Sequence, residues 1–459
     1  YKIPLLNHKK RHLIIVQNAH LLSGKTFTCY CTKCKLCDKI LGITGLGDTG
    51  MIYSRWQINT IKQALTARRV VIISGPRQCG KTTLVRQIVS DEIVYRTLDD
   101  EARLKVAKED PLGFLKHDHG TMIIDEVQKA PFLIPAIKMI VDINPVPGQF
   151  LLTGSADIQK NPEVTESLAG RVKHIRLRPF SQGELAQKPP TFLERAFAHD
   201  FPLQILNNDK EAVVKRAFIG GYPEVTFTKD PKLRKDWLHD YAETMLKRDL
   251  KDIANIRRKD SMRHLLRTFV AWSSKLMDLS GIGGKLQLNR QTLNTYLNLL
   301  ESLYLLERLP AWTETDYQFV GQRDKIFATD TGLMAALLDW RLEEVLLDSD
   351  RSGKIIETLV YNELAAHASL GRENQLYHYR DRHNREIDFI VKNDDGHILG
   401  IEVKAGSRVS PHDDTRHLRF FQEKMTKNKL FTGIVLYTGE DTLPLGENIF
   451  AVPLACLWR

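Results

Sequence analysis

Residues 75–82 combine glycines, a lysine and a hydroxyl in a spacing that suits phosphate chemistry. They read Gly-Pro-Arg-Gln-Cys-Gly-Lys-Thr and match G-x-x-x-x-G-K-[ST] at every fixed position. Such glycines let the backbone wrap phosphates, the lysine reaches the β- and γ-phosphates, and the hydroxyl ligates Mg²⁺. The pattern predicts a site for a nucleoside triphosphate, ATP, with Mg²⁺. The predicted contacts are Gly75, Pro76, Arg77, Gln78, Cys79, Gly80, Lys81, Thr82 and Thr83.

A second motif lies about 40 residues downstream, a spacing typical of a P-loop partner. Residues 121–126 read Thr-Met-Ile-Ile-Asp-Glu, an apolar strand that ends in two carboxylates. In this role Asp125 binds the metal and Glu126 polarises the attacking water. Two carboxylates that merely end a strand are the alternative, and the P-loop upstream favours the catalytic interpretation.

Three further side chains are candidates near the γ-phosphate. Thr153 and Ser155 follow another apolar run, where a polar residue contacts the γ-phosphate or the water, although either could cap a turn. Arg171 is the candidate arginine for the transferring phosphoryl group, from the same chain or from a neighbouring copy, and a surface arginine is the alternative.

Cys79 stands directly before Gly80 and Lys81. Backbone N–H groups and a helix N-terminus would give this thiol a positive environment and raise its reactivity, with the sulfur beneath the phosphates. Alternatively, Cys79 is a small apolar residue of the core.

The elements that must position these residues follow from the apolar pattern. Short β-branched runs at 70–73, 93–95, 122–124, 150–152 and 172–177 predict buried strands. Helical patterns separate most of them, so we expect an α/β fold with a parallel sheet covered on both faces.

The rest of the chain changes character. Residues 190–255 read as helical, and 256–310 hold further helices, at 274–280 and 289–301, before a strand at 304–309. Residues 350–459 return to a mixed pattern, with a helix at 354–364 and strands at 376–379, 387–391, 399–403 and 433–437.

A second chemical constellation lies in this last part. Asp388 belongs to one predicted strand, and Glu402 and Lys404 share one face of the next strand. Two carboxylates can hold Mg²⁺ while a lysine stabilises developing charge. Glu357, on the preceding helix, is a further candidate ligand. The alternative is an ion pair between Glu402 and Lys404 on a half-exposed strand.

Taken together, residues 51–459 resemble a family of bacterial and archaeal AAA-like ATPases whose C-terminal domain is similar to PD-(D/E)XK nucleases. The resemblance implies an ATPase core at 51–180, a helical extension at 181–255, a winged-helix domain at 256–345 and a nuclease-like domain at 346–459. The segments that carry it are Gly-Pro-Arg-Gln before the P-loop glycine, 125–131, 153–155, 168–171, 220–223, 247–249, 329–332, 386–388 and 402–404.

The implied winged helix gives a possible route to DNA. Its candidate recognition helix at 289–301 would expose polar side chains suited to base edges or phosphates. Winged helices also serve as packing modules, and this helix carries only one arginine. The exposed candidates are Asn289, Arg290, Gln291, Asn294 and Thr295.

Composition sets the remaining limits. The apolar fraction of 42% and the charged fraction of 27% are ordinary for a soluble globular protein. The net charge is +10, but residues 1–50 carry eight Lys/Arg and two Asp, which leaves a surplus of only four elsewhere. Bulk charge therefore supports DNA binding weakly. No apolar run is long enough to span a membrane, and we expect a cytoplasmic protein.

Residues 1–50 fall outside the resemblance. Their C-x-C-x2-C-x2-C cluster, Cys29 to Cys37, predicts either a zinc or iron–sulfur knuckle or a fortuitous grouping in an extension that is not a folded domain. We expect the second, with Met51 as the natural start.

The sequence thus predicts a P-loop ATPase coupled to a DNA-facing, nuclease-like module, with a homo-oligomer as a possible assembly. One rival is a nucleotide-dependent switch or scaffold that binds protein partners through an inactive nuclease fold. Another is a nuclease in which ATP is only a structural ligand.

Overall fold

The computed structural model describes residues 53–89, 93–118, 120–155, 167–253, 259–314, 322–371, 373–426 and 430–459. Of residues 248–253 and 259–261 only the backbone is described. The predicted N-terminal extension and its cysteine cluster lie outside this part of the chain.

The first region is a five-stranded parallel sheet in the order β2-β3-β4-β1-β5. Its strands cover the five predicted apolar runs. Its elements in chain order are α1 (Gln57–Ala67), β1 (Val70–Ser74), α2 (Lys81–Ile88), β2 (Val94–Thr97), α3 (Glu101–Glu109), α4 (Pro111–Leu115), β3 (Met122–Asp125), α5 (Leu133–Ile143), β4 (Phe150–Gly154) and β5 (Val172–Arg176).

Two apolar cores cover this sheet, one on each face. Every residue of β1 is buried, with Val70 and Ile72 in one core and Val71 and Ile73 in the other. This alternation explains why the strand reads as a continuous apolar run, because both faces of a parallel sheet exclude water.

The middle region is mainly helical. Three short strands form an antiparallel sheet in the order β6-β8-β7. Its elements are α6 (Gln182–Leu185), α7 (Phe192–Phe197), α8 (Lys210–Ile219), α9 (Pro223–Phe227), α10 (Pro231–Ile253), α11 (Lys259–Ala271), β6 (Lys275–Leu276), α12 (Leu279–Leu286), α13 (Arg290–Ser302), β7 (Leu306–Leu309) and β8 (Lys325–Ala328).

The helix predicted at 274–280 is wrong. Lys275 and Leu276 pair with Ile326 and Lys325 of β8, and the helix begins only at Leu279, with Asp278 as its N-cap. Pairing with a strand about 50 residues away overrides the local helical pattern.

The C-terminal region is a mixed six-stranded sheet in the order β13-β14-β12-β11-β10-β9. Strands β9 to β11 run antiparallel, whereas β11, β12 and β14 are parallel. The elements are α14 (Thr331–Leu337), α15 (Leu342–Leu347), α16 (Ser349–Ala368), β9 (Asn374–Arg380), β10 (Glu386–Asn393), β11 (Ile398–Lys404), α17 (Arg416–Lys424), β12 (Phe431–Tyr437), β13 (Leu443–Gly446) and β14 (Ile449–Pro453).

The start of the predicted helical extension packs on this C-terminal sheet. Phe192 of α7 and Val213 of α8 share one apolar core with α16 and with the inner face of β10 to β12. The Asn208 amide donates to the backbone oxygens of Tyr437 and Gly439 at 3.0 and 2.5 Å, which fixes the loop before α8.

Among the described residues, no helix has the length and apolar character that crossing a membrane requires.

Candidate functional site: the P-loop and a carboxylate cluster

The P-loop leaves the carboxyl end of β1 and leads into α2. A Cβ at Gly75 would lie 2.1 Å from the Leu177 backbone oxygen, so the close approach to the chain after β5 requires glycine there. Gly80, the N-cap of α2, has φ +98°, a left-handed conformation that favours glycine. Both fixed glycines of the motif are therefore explained by backbone geometry.

The Lys81 side chain folds back across the loop. It is 5% exposed, and its ammonium donates to the backbone oxygens of Gly75 and Pro76 at 3.0 and 2.8 Å. The charge is thereby held inside the loop that is predicted to wrap the phosphates. Thr83, one residue beyond Thr82, is exposed in the first turn of α2.

Asp125 gathers hydroxyl groups from three neighbouring elements. One carboxylate oxygen accepts from Thr82 Oγ1 at 2.9 Å and from the Tyr95 hydroxyl at 2.7 Å, and the other accepts from Thr153 Oγ1. Burial, together with the hydrogen bond to Asp125, raises the pKa of Tyr95 to about 12, which keeps this hydroxyl a donor. The sequence analysis missed Tyr95, because no motif marks its position in β2.

Glu126 lies beside Asp125 with its backbone in a left-handed conformation, φ 61°. Its carboxylate accepts from the Gln128 amide and, at 3.4 Å, from Ser155 Oγ, while Gln128 also donates to Ser155 at 3.0 Å. Thr153 and Ser155 thus bond to the two motif carboxylates. The left-handed backbone conformation of Glu126 costs about 1–3 kcal/mol for a residue other than glycine, and such residues concentrate at functional sites.

Mg²⁺ fits the first of these carboxylates. A hydroxyl and a carboxylate converge where Thr82 meets Asp125, and Mg²⁺ is commonly held by one or two carboxylates together with substrate phosphates. The described residues hold no group of three or more His, Cys, Asp or Glu arranged for a metal, so protein side chains there do not form a complete cage.

Residues from distant segments hold the P-loop in place, and the sequence analysis missed them. Arg55 is 4% exposed, and its guanidinium bonds to Glu184 at 3.0 Å, to the Cys79 backbone oxygen at 3.1 Å and to the Arg178 backbone oxygen at 2.5 Å. The Tyr241 hydroxyl of α10 donates to the Arg77 backbone oxygen at 3.3 Å. No local pattern signals these contacts, because each joins residues far apart in the chain.

Two predicted positions need correction. The Cys79 side chain is fully buried in the core with Ile73 and Leu84, and its sulfur lies 3.7 Å from the Leu177 oxygen. Its sulfur therefore packs as a small apolar group, and only its backbone remains available to a nucleotide. The expectation of an accessible, reactive thiol is wrong.

Arg171 lies at the amino ends of the parallel strands, whereas the P-loop leaves their carboxyl ends. It precedes β5, whose first residue pairs with Val70 and whose last pairs with Ser74, next to the P-loop. At about 3.3 Å per residue, Arg171 lies about 15 Å from the P-loop edge. Its guanidinium pairs with Asp142. A contact with phosphate in the same chain is thus excluded, and such a role would need a neighbouring copy.

The C-terminal carboxylates do come together. Asp388 lies opposite Glu402 when the β10–β11 register is continued by one pair from Phe389 and Ile401. Burial and the facing Asp388 raise the pKa of Glu402 well above its usual range. Glu357 projects from α16 into the same cluster, where burial raises its pKa and Lys325 opposes that rise.

Two lysines complete this arrangement. The predicted Lys404 pairs with Asp414 at 3.3 Å. Lys325, which the sequence analysis missed, places its ammonium 3.0 Å from Glu357 and 3.2 Å from Asp388. Two of the three carboxylates predicted to hold Mg²⁺, Glu357 and Asp388, therefore already pair with a cation. A metal ion does not fit beside this ammonium.

A comparison with protein-family models supports the assignment of the P-loop site. Residues 67–186 match a family model described as an AAA domain. Two models described as domains of unknown function, DUF8612 and DUF4143, match residues 210–344 and 352–457. Neither description names an activity, so the nuclease-like character of the C-terminal region stays a prediction.

Similar proteins include an uncharacterized protein of Mycobacterium tuberculosis, 27% identical over 86% of this chain and 82% of the relative. An uncharacterized protein of Methanocaldococcus jannaschii is 22% identical over 74% of this chain and 76% of its own.

Two solved structures are also similar in part. The Walker-type ATPase PABY2304 of Pyrococcus abyssi is 15% identical over 62% of this chain and 96% of its own, with a TM-score of 0.39. The RuvB Holliday junction branch migration motor of Thermotoga maritima is 17% identical over 57% of this chain and 92% of its own, with a TM-score of 0.25. The parallel sheet, the P-loop geometry and the match over residues 67–186 support an AAA-like P-loop ATPase domain in this part of the chain.

Proposed function

We propose that this protein binds Mg-ATP at residues 75–83 and hydrolyses it to ADP and phosphate. The observation that carries the proposal is the hydrogen bond of 2.9 Å between Thr82 Oγ1 and Asp125. It brings the hydroxyl of one motif to the carboxylate of the other at the edge of the sheet where the P-loop begins. The AAA domain match over residues 67–186 supports the same function.

Each side chain of the P-loop site has its own role in this hydrolysis. Lys81 binds phosphate oxygens, and Thr82 and Asp125 would hold Mg²⁺, which neutralises phosphate charge when bound. Glu126 orients the water and accepts its proton. The water oxygen bonds to the γ-phosphorus, and the bond from this phosphorus to the bridging oxygen breaks, which releases ADP. Gln128 and Ser155 hold the Glu126 carboxylate in place.

Phosphate release from Mg-ATP tests this function. We expect steady turnover by the full chain, no turnover in EDTA, and a loss of at least about a hundredfold in Asp125→Asn, because the amide weakens the metal site. Asp99→Asn is the matched control, since Asp99 is exposed and pairs with Lys129 at the surface. Turnover that survives both EDTA and Asp125→Asn would contradict the proposal.

DNA is the partner that the middle region favours. The order α11, β6, α12, α13, β7, β8 with an antiparallel three-stranded sheet is that expected of a winged helix. Asn289 caps α13 by accepting from Thr292 N at 2.7 Å. The first turn of α13 exposes Arg290 and Gln291, whereas Leu293 and Leu297 face the core. We propose that this polar end of α13 contacts duplex DNA.

Fluorescence anisotropy with a labelled duplex measures this contact. We expect Arg290→Ala with Gln291→Ala to weaken binding about tenfold or more at low salt, because a charged and a hydrogen-bonding group leave the interface. The control is Arg341→Ala, an exposed arginine 3.9 Å from Glu344 at the start of α15. Equal losses in both variants would indicate general electrostatic attraction and not a recognition helix.

We propose that the C-terminal region acts as a module moved by this ATP cycle, without cleaving nucleic acid. Lys325 favours this alternative, because it pairs with two of the three carboxylates, Glu357 and Asp388, that a metal-dependent nuclease would need.

A further inference from the structure

Lys325 carries its charge out of the middle region and into the C-terminal sheet. It opens β8, yet its side chain is only 1% exposed. The ammonium lies 3.0 Å from a Glu357 oxygen, 2.7 Å from a Glu386 oxygen and 3.2 Å from an Asp388 oxygen. Helix α16 and strand β10 of the C-terminal region therefore both contact one lysine that belongs to β8.

The remaining oxygens of this cluster have fixed positions. The second oxygen of Asp388 accepts from Val403 N at 2.9 Å, and the second oxygen of Glu386 accepts from Arg380 at 2.9 Å. One oxygen of Glu402 is buried without a hydrogen bond, and the His417 ring lies 3.9 Å from it. Asp388 and Glu386 are thus each held by a second donor besides Lys325.

An ammonium and a divalent metal ion cannot share this position. Mg²⁺ requires oxygens at about 2.0–2.1 Å around one centre, whereas an ammonium donates to oxygens near 3 Å. The Lys325 ammonium lies 2.7 to 3.2 Å from all three carboxylates, which are hydrogen-bond distances and not metal–oxygen distances. Burying an ammonium also costs several kcal/mol unless anions compensate it, so the lysine and the carboxylates depend on each other.

We propose that Lys325 is the resident cation of this carboxylate cluster and that it latches the C-terminal region to β8 while excluding divalent metals. The cluster accepts a metal only when this ammonium is absent. The inference is independent of ATP hydrolysis at the P-loop, because neither site shares a residue with the other.

Binding of Mn²⁺, followed by the paramagnetic resonance of the free ion, tests the latch. The full chain is used without nucleotide and with Asp125→Asn to remove the metal ligand at the P-loop. We expect no Asp388-dependent Mn²⁺ site while Lys325 is present. Lys325→Met should gain one site at least tenfold tighter than any in its parent, and adding Asp388→Asn should remove it. Lys325→Arg, which keeps a cation, should gain none.

Thermal unfolding supplies the second measurement. Lys325→Met should melt at a lower temperature than its parent, and Mn²⁺ should raise its melting temperature but not that of the parent. If Lys325→Met does not fold, adding Glu386→Gln removes one repelling carboxylate and keeps the other ligands. An Asp388-dependent Mn²⁺ site in the chain with Lys325 intact, or no gain of binding in a folded Lys325→Met variant, would overturn the proposal.

Discussion

Glu126→Gln should bind ATP as tightly as the unsubstituted chain while its kcat falls by about 10²–10⁴-fold, the usual contribution of a positioned general base. The amide preserves the size of the side chain and a hydrogen bond to Ser155, but it cannot accept a proton from water. Lys81→Ala should instead lose nucleotide binding, because the Lys81 ammonium inside the P-loop supplies the positive charge that compensates the phosphates.

Fluorescent-nucleotide titration and phosphate release separate these two effects. Glu109→Gln is the control for the change from carboxylate to amide, since Glu109 is exposed and its carboxylate lies 3.8 Å from Lys105 at the surface. Unchanged affinity in Lys81→Ala would disprove the role of the lysine. Unchanged kcat in Glu126→Gln would move the proton acceptor to another residue.

Glu307→Gln should lower the free energy of unfolding by about 3–5 kcal/mol, the range for breaking a buried ion pair from one side. The Glu307 side chain is 12% exposed and accepts from Arg176, from Arg178 at 2.6 and 2.7 Å, and from the Tyr361 hydroxyl at 2.9 Å. It therefore ties the end of β5, the strand β7 and the helix α16 together. The amide would leave two largely buried guanidinium groups without their anion.

The same carboxylate makes the protein sensitive to acid. Burial alone would raise the pKa of Glu307, but Arg176 and Arg178 lower it to about 2. Since the pKa of glutamate in an unfolded chain is about 4.3, the contribution of Glu307 to stability is present above that pH. It is lost as the pH falls toward 2. In Glu307→Gln, stability should depend less steeply on pH within this window.

Guanidinium denaturation at pH 7 and at several values below pH 4.5 measures both effects. Glu344→Gln is the control, because Glu344 pairs with Arg351 at 3.2 Å on the surface and both side chains are more than a third exposed. Such exposed pairs contribute less than about 1 kcal/mol. Equal losses in the two variants would show that the buried network adds nothing beyond a surface pair.

The ATPase core could be predicted in detail because its signals are local. Strand β1 is buried on both faces and therefore reads as an unbroken apolar run, and the P-loop follows it directly. Each fixed residue of the motif meets a requirement of the backbone or of phosphate chemistry within eight positions. Four of the six strands of the C-terminal sheet, β9 to β12, were predicted, and β10, β11 and β12 each contain a continuous apolar stretch. Strands β13 and β14 were not predicted.

The remaining features depend on contacts that the sequence pattern does not record. Arg55 meets Glu184 across 129 positions, and Lys325 meets Asp388 across 63. A lysine at the start of a short strand reads as an exposed strand end, and only the tertiary fold shows that it is buried. The position of Arg171 could not be predicted for a related reason, because its spacing from the motifs does not reveal at which end of the strands it lies.

Helix α16 is a single 20-residue helix of the C-terminal region that contacts three separate segments of the middle region. Over the seven residues from Glu357 to Glu363, a rise of about 9 Å, Glu357 pairs with Lys325, Tyr361 donates to Glu307, and Glu363 accepts from Gln182 N at 2.7 Å. A helix does not stretch, so a displacement at one of these attachments cannot be absorbed before the next. The segment after β5, strand β7 and strand β8 are therefore held at fixed spacings along one helix of the C-terminal region.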